Sequence, residues 1–299
     1  MSETTSQLQK STVVLRLRFR KPGATRKGSL ADVDVDAEKD SLRLRKEVIR
    51  SEHYNAVWNA CHHAKKMLRS YSLPSPFEDG TYLLPTHTIP VVYERLEGNQ
   101  VEFNTAADKL VDSWDDVVAD AKKRLRNQFR AEDFPSKDGL RSSFRMEWQL
   151  LKFETPGTDA GLSDALYDVE RQKAELIWKE AEQEVTAALR VGLSEVVNKL
   201  VSSLEPKADG GKKRLFESTV ESLSTFLQTF SDRNVLGDKQ LQDLVAKAKK
   251  VVNGQTVEGL RTNEAARQSV QQGLSQVATK LDKLIVDQKR VIKFKKKGI

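Results

Sequence analysis

The residues of this 299-residue chain with the clearest chemical potential are basic, and they cluster towards both ends of the sequence. The net charge is +7; residues 1–30 hold seven lysines and arginines against one acid, and residues 289–299 hold six against none. Such clusters bind phosphate groups or an acidic protein, or else they are simply solvated. The candidate nucleic-acid-binding residues are Arg16, Arg18, Arg20, Lys21, Arg26, Lys27, Lys293, Lys295, Lys296 and Lys297.

Motifs for nucleotide, metal or catalytic chemistry are incomplete. Gly23 and Gly28 have the glycine spacing of a phosphate-binding loop, but Ser29 follows where that loop needs a lysine. His62 and His63 are adjacent, so on a helix they point about 100° apart and cannot share one metal ion. The sequence holds no catalytic triad order, nucleophile elbow or zinc-type helix motif. We therefore predict no cofactor, no metal site and no enzyme activity.

An acidic segment follows the basic loop. Asp32, Asp34 and Asp36 repeat the opening of a calcium-binding loop, but Ala37 and Arg43 stand where that loop needs glycine and a bidentate glutamate. We interpret the segment as a solvated acidic stretch that could fold back on the basic strand before it.

A strand must position the first arginines. Residues 13–20 alternate strictly, with apolar side chains on one face and three arginines on the other. Residues 143–154 alternate well enough to form a second strand. We expect the two strands to pair antiparallel, which would bury Trp148 and could oppose Glu147 to an arginine.

Long helices make up most of the predicted structure. Residues 89–129 carry apolar side chains at gaps of mostly three, four or seven, which marks one helix stripe, with Gly98 as its weak point. A helix of about 40 residues runs roughly 60 Å and needs a partner to cover its stripe. Residues 42–71 supply an antiparallel partner, and the proline-containing connection 72–90 includes a short strand at 82–84.

The second half predicts further helices. A third long helix covers 162–204, with a stripe along its whole length, and either joins a bundle or projects as a coiled-coil arm. Residues 205–213 form a linker or exposed loop. Helices follow at 215–230, 240–252 and 263–287.

Several local features complete the sequence-based description. Asp238 and Asn263 are expected to cap helix N-termini. Residues 1–11 are expected to be disordered or weakly ordered, and residues 290–299 to form a basic tail or edge strand. Cys61 is expected to be a buried, unreactive thiol, and each of the four tryptophans to pack in the core.

The predicted fold is mainly α, with long antiparallel helices of bundle or coiled-coil type and a small antiparallel β element. The predicted domains are 1–158 (strands and helical hairpin), 159–204 (long helix), 205–213 (linker) and 214–299 (helical region with basic tail).

A set of apolar and turn residues in the first half follows the order of a known domain. The landmarks are Leu68, Tyr71, Gly80, Tyr82, Leu84, Pro85, Leu96, Phe103, Leu110 and Trp114. In this order, residues 12–155 resemble a domain of unknown function from phages, plasmids and integrative elements. The resemblance implies a mobile-element protein, whose relatives are often encoded beside MoxR-type AAA+ ATPases and von Willebrand factor A proteins. It implies no catalytic residue.

Two function classes follow for a non-enzyme of this kind, and an enzyme whose site the sequence does not reveal is the third class. The favoured hypothesis is a helical interaction protein, a homo-oligomer or a subunit or adaptor of a larger assembly; the resemblance points to an AAA+ ATPase as a member of that assembly. The alternative is a sequence-independent nucleic-acid-binding protein that uses its basic segments. One cysteine, no apolar run near 18 residues and no secretory signal predict a cytoplasmic protein without a membrane or evident small-molecule partner.

Overall fold

The protein is mainly α, as predicted, in a computed structural model that describes residues 6–31, 33–75, 80–152 and 163–295, with side chains described up to residue 286. The helices are α1 (Gln7–Ser11), α2 (Glu52–Tyr71), α3 (Ile89–Asp112), α4 (Trp114–Leu125), α5 (Lys137–Ser142), α6 (Asp164–Leu204), α7 (Glu217–Arg233), α8 (Lys239–Val252), α9 (Val257–Thr262) and α10 (Glu264–Lys295). The strands are β1 (Thr12–Arg20), β2 (Thr25–Lys27), β3 (Arg45–Glu47), β4 (Thr81–Pro85) and β5 (Arg145–Leu151).

The strands form two small antiparallel sheets. Three strands lie in the order β4-β1-β5, and β2 pairs with β3. The strands predicted at 13–20, 82–84 and 143–154 are therefore confirmed as β1, β4 and β5, and the expected pairing of the first with the last is confirmed.

The described residues divide into two compact units. The bundle unit comprises Met1–Val14, Ser70–Ile89 and Leu151–Ile299, and the strand unit comprises Leu15–Arg69 and Pro90–Leu150. β1 thus begins in the bundle unit and continues into the strand unit. Each unit is made of several separate chain segments, whereas the predicted domains are continuous ranges. The predicted domain boundaries therefore stay a prediction.

The bundle unit is built on α6, a helix of 41 residues that packs against α7 and α10, while α8 packs against the same two helices. The third predicted long helix is therefore confirmed. Its predicted stripe is wrong at the N-terminal end, where Leu166, Val169 and Ile177 are exposed. The core that α6 shares with its neighbours begins only at Trp178 and continues to Leu204.

Polar groups close the helix ends of the bundle unit. Asp238 accepts a hydrogen bond from the backbone N–H of Leu241 at 3.0 Å, and Asn263 accepts one from that of Ala266 at 3.1 Å. Both predicted N-caps are confirmed, because each side chain satisfies a first-turn amide that has no partner within the helix. The predicted loop at 205–213 is an exposed turn closed by a bridge between Pro206 and Lys212.

A buried arginine binds the C-terminal end of α6. The guanidinium of Arg267 is 2% exposed and donates to the carbonyl oxygens of Leu204 at 2.9 Å and Ser203 at 2.7 Å. It also donates to those of Lys213 at 3.1 Å and Leu260 at 3.4 Å. A cation at a helix C-terminus satisfies carbonyls that lack helical partners and interacts favourably with the helix dipole.

The N-terminal segment is ordered from residue 6, in contrast to the prediction for 1–11; residues 1–5 lie outside the described residues. Ser6 caps α1 and donates from its Oγ to the Glu182 carboxylate on α6 at 2.7 Å, and Leu8 is fully buried in the bundle core. The buried Leu8 side chain and this hydrogen bond attach the segment to the bundle core. The composition of the segment does not reveal this attachment.

In the strand unit, α2 and α3 form the predicted antiparallel hairpin. His63 on α2 contacts Glu102 on α3 at 2.8 Å, whereas Tyr54, earlier on α2, shares a core with Leu110, later on α3. That core includes Val48, Ile49, Val111, Trp114, Val117 and Leu140.

The long helix predicted at 89–129 breaks at Ser113 rather than at Gly98. The Oγ of Ser113 donates to the carbonyl oxygens of Lys109 at 3.0 Å and Leu110 at 3.2 Å, a side-chain interaction that often bends helices. The backbone N–H of Ser113 still donates to Lys109 at 3.2 Å, but its ψ of 11° departs from the helical value. Gly98 lies inside α3, where its helical neighbours hold the backbone despite its low helix propensity.

The helix predicted at 42–71 begins only at Glu52, so its first ten residues are wrong. Arg45–Glu47 form β3 instead, and the backbone N–H of His53 donates to the Ser51 Oγ at 3.2 Å as the helix starts. Of the alternating leucines and arginines over 42–45, only Arg45 belongs to β3, so pairing with Thr25–Lys27 rather than helix propensity decides the conformation of this segment.

Candidate nucleic-acid interface

The outer face of β1 carries a row of three arginines. Arg16, Arg18 and Arg20 are exposed and alternate with the buried Leu15 and Leu17. We call them the arginine row; successive members are about 7 Å apart along the strand. No described residue forms a hydrogen bond or ion pair with these guanidinium groups. The structure thus holds three full positive charges on a regular strand, open to solvent.

The neighbouring strand adds little negative charge. Glu147 of β5 binds Arg145 of the same strand, with 3.1 Å between Oε1 and Nη1, rather than an arginine of β1. The inward-facing Met146 is buried, and Trp148 packs edge-on against Tyr93 of α3, with ring centroids 6.1 Å apart. The one acid predicted to oppose the arginine row is therefore already paired.

Lys21, the next basic residue, is engaged differently. Its Nζ lies 3.2 Å from the ring centroid of Trp58, a cation–π contact. Trp58 is 50% exposed, so its predicted core position is wrong: it lies at the edge of the α2 stripe and is covered by a lysine. Desolvation by burial lowers the pKa of Lys21, and the nearby Lys65 lowers it further.

Cys61 lies beneath this contact and is buried, as predicted. Burial raises the pKa of its thiol, while Lys21 and Lys65 act in the opposite direction. A raised pKa keeps the thiol protonated, which is the unreactive form.

The hairpin after β1 opposes cations to cations. In the β2–β3 register Arg26 faces Lys46, and Lys27 faces Arg45. Lys46 is buried and neutralised by Asp133, with 2.6 Å between Nζ and Oδ2. Lys27 and Arg45 are exposed, and no described carboxylate forms an ion pair with either. Like charges directly opposite each other on a sheet are destabilising.

A basic cavity lies beside this hairpin. We call it the hairpin pocket; its volume is about 860 Å³, and it is lined by residues from 25–31 and 39–45. Its charged lining residues are Arg26, Lys27, Lys39, Arg43, Arg45 and Asp40. Five cations and one acid make it a strongly positive cavity.

The two glycines do not form a phosphate-binding loop. The backbone N–H of Gly28 donates to the carbonyl of Leu44 at 2.9 Å, and that of Ser29 donates to the Gln128 Oε1 at 2.9 Å. A phosphate-binding loop needs such amides free to face the phosphates. Gly28 serves packing instead, since an added Cβ would lie 2.8 Å from the Leu44 Cδ2.

The predicted site residues whose side chains are described therefore fall into three groups. The arginine row is exposed, Arg26 and Lys27 line the hairpin pocket, and Lys21 covers Trp58. Lys293 and Lys295 belong to α10, which continues to residue 295 where a basic tail or edge strand was predicted, but their side chains lie outside the described ones. Lys296 and Lys297 lie outside the described residues.

Sequence reasoning missed the second half of the hairpin pocket. Lys39, Arg43 and Arg45 come from a stretch interpreted as an acidic segment followed by helix. The alternation of leucine and arginine over 42–45 was the available signal, since it repeats the pattern of β1.

Other chemistry has little support in the described part of the chain. Among these residues, no three His, Cys, Asp or Glu side chains are grouped so that they could hold a metal ion. None of the described helices carries an apolar stretch of the length needed to cross a bilayer.

Comparison with known proteins adds no relative: no family model, no curated protein and no solved structure matches this chain. The resemblance to the mobile-element domain stays a prediction.

Proposed function

We propose that this protein binds nucleic acid without regard to sequence, through the arginine row of β1. The single observation that carries the proposal is three exposed guanidinium groups, held at regular spacing on one strand, that have no partner among the described residues. Arginine keeps its charge at every physiological pH and forms paired hydrogen bonds with phosphate oxygens.

The strand lowers the cost of binding. Leu15 and Leu17 anchor β1 in the protein, so the backbone carrying the arginines does not have to become ordered when it meets a polyanion. Contacts to phosphates position a nucleic acid but read no bases. With one cysteine and hence no internal disulfide, we propose the cytoplasm as the compartment.

Salt-dependent binding to random-sequence oligonucleotides tests this function. Fluorescence anisotropy is measured with single- and double-stranded DNA between 50 and 200 mM salt for the wild type and for a triple variant, Arg16→Ala, Arg18→Ala and Arg20→Ala. Each phosphate contact contributes about 0.9 to the log–log salt slope on duplex DNA, so the variant should bind more weakly, with a slope smaller by about 2 to 3.

A matched control removes the same charge from the bundle unit. Lys247, Lys249 and Lys250 are exposed on α8, and their replacement by alanine should leave affinity and slope close to wild type. Equal losses in the two triple variants would show that only net charge matters. Full binding by the arginine-row variant would refute the assignment, and a loss on replacing Lys293, Lys295, Lys296 and Lys297 would move it to the C-terminal segment.

A second function is compatible with the first: a subunit or adaptor of a larger assembly. It is favoured by the exposed apolar residues at the start of α6, where Leu166, Val169, Leu176 and Ile177 are 46%, 47%, 57% and 45% exposed. Exposed apolar patches of this kind are typical of interaction sites. The partner implied by the resemblance is an AAA+ ATPase of a phage or mobile element; a second copy of the chain is the alternative.

Solution mass and capture experiments test the second function. Light scattering should give a mass above that of one chain, or tagged protein should retain a co-encoded AAA+ ATPase. Replacing Leu166 and Leu176 by serine should abolish that association. Val101→Ser, which likewise replaces an exposed apolar residue by serine at a 66% exposed site on α3, should not. A monomer that retains no ATPase would count against this function.

A further inference from the structure

The hairpin pocket has features that sequence-independent binding along the arginine row does not use. We propose that it is a separate site for a compact polyphosphate, meaning two or three linked phosphates such as those of a nucleoside triphosphate or of a triphosphorylated nucleic-acid end. The inference goes beyond the proposed function, since it would hold even if the arginine row bound nothing.

The size of the cavity suits such a ligand. Small-molecule sites typically enclose about 300–1,000 Å³, and the hairpin pocket has a volume of about 860 Å³. It lies within the strand unit, between the β2–β3 hairpin and the two ends of the loop that joins these strands.

The charge of the cavity selects an anion of high charge density. Arg26, Lys27, Lys39, Arg43 and Arg45 line it, and none of them forms an ion pair with a described carboxylate. Asp40 is the one acid among the lining residues. Guanidinium groups bind phosphate oxygens in pairs, whereas lysines add mobile point charges. A linked phosphate chain offers several such oxygens within a few ångströms.

The hairpin register supplies an independent argument. Two consecutive cross-strand pairs, Arg26 with Lys46 and Lys27 with Arg45, oppose like charges. Asp133 neutralises Lys46 alone, and no carboxylate in the described part of the chain forms an ion pair with Lys27 or Arg45. An opposed pair of this kind destabilises an empty hairpin, but a bound polyanion reverses the sign of its contribution.

Hydrogen bonds within the protein hold part of the pocket wall in place. Arg26 donates from Nη1 to the carbonyl oxygens of Gly23 and Thr25, each at 3.0 Å, which holds its guanidinium in place. The backbone N–H of Gly28 holds Leu44 at 2.9 Å, and that of Val48 extends the hairpin by donating to Ala24 at 2.7 Å. Preformed positive charge is the condition under which a polyanion binds without a large ordering cost.

Calorimetric titration at 150 mM salt tests the proposal with inorganic tripolyphosphate, ATP and AMP. Wild-type protein should bind tripolyphosphate and ATP at least tenfold more tightly than AMP. The double variant Lys27→Ala, Arg45→Ala should bind both at least tenfold more weakly. Lys122→Ala, Lys123→Ala, which removes two exposed lysines from α4 of the same unit, should bind as wild type does.

A thermal scan separates loss of binding from loss of folding. Without ligand, the double variant should melt at or above the wild-type temperature, because the opposed charges are gone; tripolyphosphate should raise the midpoint of the wild type only. Failure of the wild type to bind tripolyphosphate, or equal binding by the double variant, would overturn the proposal. So would equally tight binding of a polyglutamate peptide, which would indicate a site for acidic peptides.

Two further arms identify the source of the phosphates and keep this site apart from the arginine row. An oligonucleotide with a 5′-triphosphate should compete with tripolyphosphate more strongly than one with a 5′-hydroxyl if a nucleic-acid end is bound; equal competition by the two would assign the site to free polyphosphates. The arginine-row triple variant should keep its tripolyphosphate affinity, and its loss there would refute a separate site.

Discussion

The buried arginines of the bundle unit and the arginine row of the strand unit are used in opposite ways. In the bundle unit Arg267 and Arg233 are 2% and 8% exposed and donate to backbone carbonyls, and Arg190 binds Asp238 at 2.8 Å in a largely buried pair. In the strand unit the arginine row is exposed and has no described partner. The comparison shows that a net charge of +7 is a poor measure of how strongly the protein can bind a polyanion, because some of the cations are buried and bind groups of the protein itself.

Arg233 shows how burial affects the pKa of such an arginine. Its guanidinium carbon lies 4.6 Å from the ring centroid of Phe226, and burial lowers the pKa of Arg233 to about 10, although Asp232 acts in the opposite direction. A buried guanidinium is retained only where its N–H groups find acceptors, as the carbonyls of Thr229 and Phe226 provide here.

The largest effect is expected from Arg267. Replacing it by methionine keeps the apolar stem but removes the donors to four carbonyls, including those that end α6. Buried acceptors left without a donor are costly, so we expect a loss of about 3 kcal/mol in unfolding free energy. Urea denaturation followed by circular dichroism measures it. Arg18→Met is the control from the arginine row, and an equal effect of the two changes would abolish the contrast between the units.

Lys46 is a buried, paired cation in the strand unit, in contrast to the exposed arginine row of the same unit. Its side chain and that of Asp133 are 7% and 14% exposed, and its Nζ also donates to the Gln128 carbonyl at 2.7 Å. Lys46→Met leaves a buried carboxylate unpaired, for which we expect a loss of about 2–3 kcal/mol in unfolding free energy.

Its neighbour Lys27 supplies the control for the same denaturation measurement. Lys27→Met removes an exposed lysine that faces Arg45, so the denaturation midpoint should stay unchanged or rise. If Lys27→Met destabilised the protein as much as Lys46→Met, the division into structural and available cations within this hairpin would be wrong.

Periodic patterns in the sequence predicted much of this division but not the roles of single cations. Apolar stripes with a period of 3.6 residues located α2, α3, α6 and α10, and strict alternation located β1. Burial of one face of an element leaves apolar residues at a regular spacing in the sequence. Arg267 looked like any helix-surface arginine, since its acceptors at Ser203, Leu204 and Lys213 lie more than 50 residues away in sequence. No local pattern encodes such a contact.

The candidate site was predicted in the same uneven way. The arginine row followed directly from alternation, whereas the hairpin pocket depends on residues 45–47 pairing with 25–27 across a loop, with Lys39 and Arg43 from that loop also lining the pocket. Trp58 was assigned to the core because it adjoins Val57 and Cys61 on the α2 stripe. A residue at the edge of a stripe is buried or exposed according to its tertiary neighbours, and here the neighbour is a single lysine.

Two helical glycines extend the comparison from charge to packing. An added Cβ at Gly273 of α10 would lie 2.8 and 2.9 Å from the two methyl groups of Val251 on α8, whereas one at Gly98 of α3 would meet nothing within 4 Å. A valine in a helix has one strongly preferred rotamer, so Val251 cannot turn both methyls away. The bundle unit therefore requires a glycine at its helix contact, and the strand unit does not at the exposed face of α3.

Alanine substitutions at these two glycines should accordingly have opposite signs. Gly273→Ala should lower the unfolding free energy by about 1–2 kcal/mol, because overpacking outweighs the gain in helix propensity. Gly98→Ala should raise it by up to about 1 kcal/mol, since the propensity gain is unopposed. Both are measured by the same urea denaturation, and a second variant, Gly273→Ala with Val251→Ala, should recover much of the loss by removing the clash. If Gly273→Ala alone stabilised the protein, α8 and α10 could not approach each other as closely as the Val251 contact requires.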